Sequence, residues 1–113
     1  MIRNGLYSVN SKLLDGVEGG ATGVSVLREG TMRGGGSIYY HVGSYVCSGG
    51  KWKGELAIRE HTPAEITRTF AGHVVSMGFN GTYTEDDAEF RATALAGKQS
   101  VQLEVVFRLL APD

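Results

Sequence analysis

Residues 51–59 read KWKGELAIR, and their alternation decides the fold. Trp52, Gly54, Leu56 and Ile58 fall on one face, while Lys51, Lys53, Glu55 and Arg59 fall on the other. Only Ala57 breaks the polar series. A period of two, with one greasy face and one charged face, is the pattern of a half-buried antiparallel strand. The same period returns downstream. Ala71, His73, Val75, Met77 and Phe79 share a side in residues 70–79, and Phe90, Ala92 and Ala94 share one in residues 88–96. In the last stretch Val101, Leu103, Val105, Phe107 and Leu109 oppose Gln102, Glu104 and Arg108.

Upstream, residues 2–9 read as a strand interrupted at Asn4-Gly5, and residues 10–20 as a polar, glycine-rich loop. Residues 24–28 form a short strand, with Glu29-Gly30 turning the chain into Thr31, Met32 and Arg33. Gly34-Gly35-Gly36 either breaks that strand or lets it curl. Residues 37–42 and 44–47 then read as two strands separated at Gly43, and Ser48-Gly49-Gly50 turns back into residues 51–59. Asn80-Gly81 is a turn or a bulge within one long strand, and Glu85-Asp86-Asp87 is a polar turn.

One helix start is present. In His61-Thr62-Pro63-Ala64-Glu65, Thr62 can cap, Pro63 suits the first helical position, and Glu65 completes a capping box. Gly72 and the strand-favouring Thr67, Thr69 and Phe70 limit this to at most one short helix near residues 63–69.

Seven or eight strands joined by short links predict an up-and-down antiparallel meander. Eight such strands remove their exposed edges by closing into a barrel, and a sandwich or an open sheet wrapped round a helix are the alternatives. The length of 113 residues fits one domain, residues 1–113. Seventeen glycines, about twice the usual share, fit strands that bend sharply or reverse often.

The formal charge of −1 leaves no basic excess to draw in phosphate backbones or anionic lipid, so neither nucleic acid nor membrane is an expected partner. The single Cys47 excludes an internal disulfide. With no long apolar run and no apolar segment behind a charged start, the expectation is a cytoplasmic domain.

Chemistry-bearing motifs are sparse. His41, His61 and His73 stand at spacings that match no metal-ligand motif. No serine sits in a nucleophile elbow, and Gly34-Gly35-Gly36 lacks the following helix and lysine of a phosphate cradle. Cys47 has no adjacent cation to activate it. These readings predict no enzyme, no cofactor and no metal. Tyr39, Tyr40, His41, Tyr45 and Trp52, by contrast, crowd into fourteen residues. Alternation sends Tyr39 and His41 to one face and Tyr40, Ile38 and Val42 to the other. Large amphipathic rings are favoured at binding faces and in cores alike. Tyr39, His41, Tyr45 and Trp52 are therefore the candidate partner or ligand face. Ala88, Ala92, Ala94, Gly54 and Gly72 are small enough to leave a lumen open.

Asn4-Gly5-Leu6-Tyr7-Ser8, Gly23-Val24 through Gly30 to Gly34-Gly35-Gly36-Ser37 and Tyr39, Gly43-Ser44-Tyr45 and Gly54-Glu55-Leu56 together resemble the GrlR-like family. Phe70-Ala71-Gly72, Gly81-Thr82-Tyr83 and the stretch from Ala92 to Gly97 extend the likeness over nearly the whole chain. These are small negative regulators of type III secretion. The resemblance implies an eight-stranded lipocalin-like barrel, a transcriptional activator as protein partner, and a homodimer. It also implies that Gly5, Tyr7 and Arg108 close one end of the barrel, with Arg108 packed on Tyr7. The segment Cys47-Ser48-Gly49-Gly50-Lys51 carries no acid where the enteric pattern has an acidic run, so the resemblance carries fold further than partner. Two functions follow as expectations: a regulatory protein-binding module, or a lipocalin-like carrier or sensor of a small apolar ligand in the lumen.

Overall fold

The computed structural model of the chain describes residues 2–13, 20–37, 39–62, 75–96 and 99–113. Eight strands run in chain order: β1 Gly5–Leu13, β2 Gly20–Arg28, β3 Thr31–Gly35, β4 Tyr39–Ser48, β5 Lys51–Glu60, β6 Val75–Tyr83, β7 Asp87–Ala96 and β8 Gln99–Pro112. Each pairs antiparallel with its sequence neighbours, and β8 returns to β1, so the sheet is a closed up-and-down barrel. Among the described residues every strand therefore has a hydrogen-bonded neighbour on both sides. The short helix expected near residues 63–69 lies outside the described residues.

Two hairpins are built from the turn the sequence supplies. At Glu29-Gly30 the φ angles are 49° and 80°, and at Gly49-Gly50 they are 58° and 82°. Two consecutive positive φ values make a type I′ turn, whose twist matches that of the flanking strands. Glu29 takes this conformation without being glycine, and Asn4 holds it there. The Glu29 backbone N–H donates to Asn4 Oδ1 at 3.0 Å, and Asn4 Nδ2 donates to Glu29 Oε1 at 2.7 Å.

These turns lie at one end of the barrel, which a girdle of backbone bonds closes. Tyr45 N–H donates to Gly30 O at 2.8 Å, Tyr83 N–H to Gly50 O at 3.0 Å, and Leu109 N–H to Asp86 O at 2.8 Å. Asp113 N–H donates to Asn4 O at 3.0 Å. Arg3 adds ion pairs to Glu85 and Asp86.

Two boundaries differ from the sequence reading, and one open alternative is settled. Residues 10–13 are strand, because Lys12 is paired on both sides, to Gly20 on β2 and Glu104 on β8. Gly43 does not break β4. It faces inward, and a methyl there would press on the Glu55 carbonyl and the Leu56 side chain. Asn80-Gly81, read as a turn or a bulge within one long strand, lies inside β6, in register with Arg91 and Phe90 on β7. A methyl on Gly81 would overlap the Glu89 carbonyl oxygen, so glycine there allows the close approach of two coiled strands.

Alternation places the core inside the barrel. Tyr7, Leu27, Met32, Trp52, Val75 and Phe107 are almost fully buried, while Lys51, Lys53, Glu55 and Arg59 line the exterior.

Candidate functional site

The interior has two unlike halves. At the girdled end Trp52 is surrounded by rings, with Tyr45, Phe79, Phe90 and Phe107 at centroid distances of 5.5, 5.0, 5.8 and 5.4 Å. Phe79 and Phe90 stack at 4.2 Å. Edge-to-face and offset contacts of this kind add about 0.5–1.5 kcal/mol each beyond the area they bury. The indole N–H donates to Glu89 O at 2.9 Å, so the one polar atom of Trp52 is satisfied. This cluster is a plug.

Burial pushes the Tyr45 phenol up to about 12, with the nearby Cys47 adding to it and the Gly30 backbone opposing it. Tyr7 is pushed up as well, chiefly by burial, and its hydroxyl donates to Arg3 O at 2.6 Å.

Above the plug lies a cavity of about 130 Å³. Its walls are mainly apolar: Met32, Leu56, Ile58, Met77, Leu103 and Val105, with Phe90 and Phe107 as floor. Tyr39 and His41 line it from β4, Ser11 and Thr22 from β1 and β2, and it reaches the exposed Gly36 and Tyr40. Among the described residues, no charged side chain is part of its lining.

His41 Nε2 lies 2.9 Å from Ser25 Oγ. Ser25 is only 1% exposed and is not part of the cavity wall, so it fixes the imidazole from behind. Burial lowers the His41 pKa, which keeps the ring neutral at physiological pH. At the rim, His61 Nε2 donates to Gly36 O at 2.8 Å and its Nδ1 accepts from the Thr62 hydroxyl at 2.7 Å, which ties the end of β5 to the β3–β4 connection. His73 lies outside the described residues. Among the described residues, no three of His, Cys, Asp and Glu stand close enough to hold a metal ion.

The four candidate face residues all point inward, but to different halves. Tyr39 and His41 line the cavity, whereas Tyr45 and Trp52 belong to the plug. They stand on two strands rather than three, since β4 is continuous. Of the small residues expected to open the lumen, Gly54, Ala88 and Ala92 do not border the cavity, and the Ala94 side chain lies outside the described residues. Ala88 and Ala92 are buried in the core, and Gly54 gives its space to the Ser44 carbonyl and Phe79; Gly72 lies outside the described residues. Arg108 is exposed and its side chain does not pack on the inward Tyr7. The basic residue beside Tyr7 is Arg3. A methyl on Gly5 would overlap the Ala111 carbonyl oxygen, so glycine permits the close passage of β1 and β8 there.

Ser25 was not legible as a site residue. Its strand offers Val24 and Val26 as the greasier alternate pair, yet both face outward, at 44% and 42% exposure. No protein-family model matches this sequence, and no curated protein matches it.

Proposed function

We propose that this chain is a non-catalytic binding module whose half-hollow barrel takes a small apolar molecule. The observation that carries this reading is the cavity of about 130 Å³, apolar-walled, floored by the aromatic plug and reaching the surface at Gly36 and Tyr40. An engineered apolar cavity of roughly 150 Å³ binds benzene, so the volume suits one small molecule. Buried Ser25 stands behind His41 where no substrate reaches its hydroxyl, which supports binding rather than nucleophilic turnover. The test is a fluorescence titration. Trp52 is the sole tryptophan and touches Phe90 and Phe107, the cavity floor, so toluene should shift or quench its emission saturably. An emission unchanged up to the solubility limit, together with no calorimetric heat, would overturn the reading.

A second reading is favoured by the outer surface. Val24, Val26, Tyr40 and Val42 are 36–44% exposed on β2 and β4, across β3 from one another. Such a face suits a protein partner. It supports the regulatory module implied by the resemblance to the GrlR-like family, acting in the cytoplasm as a homodimer or on a transcriptional activator. Sedimentation of the wild type against Val26→Lys and Val42→Lys tests the dimer: a dimer lost in both variants supports it, and a wild-type monomer at high concentration removes it.

A further inference from the structure

The lining of the cavity narrows its ligand class, an inference that rests on the small-molecule reading above. Size sets the first limit. The plug fills the girdled half of the barrel, so the lumen does not run through, and the remaining volume is that of a single ring rather than a long acyl chain.

Charge sets the second limit. Among the described residues, none of the lining side chains is ionisable to a cation at neutral pH except His41, and burial keeps that ring neutral. A carboxylate entering the cavity would be desolvated without a cationic partner among the described residues, which is strongly unfavourable.

The third limit is polar. His41 spends Nε2 on Ser25, and Nδ1 has no hydrogen-bond partner among the described residues. The serine hydroxyl can donate or accept, so Nδ1 presents one N–H or one lone pair according to tautomer. A ligand hydroxyl, being donor and acceptor, matches either form. An amine cation or an ether matches only one.

We propose that the cavity selects an uncharged single-ring compound bearing one hydroxyl, of the phenol class, with His41 Nδ1 as its hydrogen-bond partner.

Calorimetric titrations of the full chain at neutral pH with phenol, toluene and benzoate test this, in the wild type and in His41→Leu. The ratio of phenol to toluene affinity should fall about tenfold or more in the variant, since the hydroxyl then sits buried without a partner. Benzoate should not bind measurably. Because His41→Leu can perturb folding, a second readout uses the wild type alone: the ¹⁵N resonance of His41 Nδ1 should move with phenol and stay in place with toluene. Toluene binding with an unmoved Nδ1 under phenol, or benzoate binding as tightly as phenol, would overturn the ligand class and leave the small-molecule reading standing. Failure of both phenol and toluene to bind would overturn the two together.

Discussion

His41 Nε2 and Ser25 Oγ meet at 2.9 Å beside a mainly apolar cavity. Ser25 is buried behind the ring and His41 faces the cavity, so the pair reads as an oriented polar anchor. Its neutrality has a consequence for pH. The folded pKa lies below the ordinary 6.5, so the native state resists protonation that the unfolded chain accepts. Stability from this group is fully present above pH 6.5 and is lost as pH falls through the lowered folded value. The His41 ring resonances should therefore titrate below 6.5, and the urea midpoint should drop on acidification from pH 7 by more in the wild type than in His41→Gln.

At the other extreme the plug protects two phenols. Tyr45 is held up to about 12 and Tyr7 is raised from 10.0. A raised folded pKa gives stability that is present below pH 10 and lost as pH rises through the folded value. Phenolate absorbance should show Tyr7 and Tyr45 titrating late, together with unfolding. Tyr7 and Tyr45 ionising near pH 10 in a folded chain would contradict the plug.

Gly81 is the sharpest steric test of the coiled strands. Gly81→Ala drives its methyl into the Glu89 carbonyl that also accepts from Trp52. A cost of about 3 kcal/mol or loss of the fold is expected by denaturant titration. Gly50→Ala meets no atom within 4 Å and carries only the positive-φ cost, about 1 kcal/mol.

How much of this was legible in the sequence follows from what alternation encodes. The inward stripes of Trp52, Leu56 and Ile58, of Val75, Met77 and Phe79, and of Leu103, Val105 and Phe107 were readable, and with them the meander. Alternation reports the two faces of one strand but not the distance to the next. Gly43 therefore looked like a break, and Asn80-Gly81 was open between a turn and a place within one strand, although each glycine lets a neighbouring backbone approach an unbroken strand. Residues 10–13 looked like loop because pairing on both sides, rather than greasiness, keeps them extended. The cavity was least legible. It arises where the large side chains of the plug stop and Gly23, Gly35 and Gly36 line the wall, rather than at Gly54, Ala88 and Ala92.

Asn4 holds the strained Glu29 turn through two reciprocal bonds. Asn4→Ala should cost about 1 kcal/mol in a urea titration, because the bonds are exposed and their net worth is modest. The Glu29 amide should also exchange faster with solvent deuterium in that variant.

The hollow upper half of the barrel is tested most directly by a crystal structure under xenon pressure. A xenon atom lodged among His41, Ile58, Leu103 and Phe107 is the expected result, since dry apolar cavities of this volume take up xenon. Side-chain density filling that space, with no xenon bound at any pressure, would contradict it.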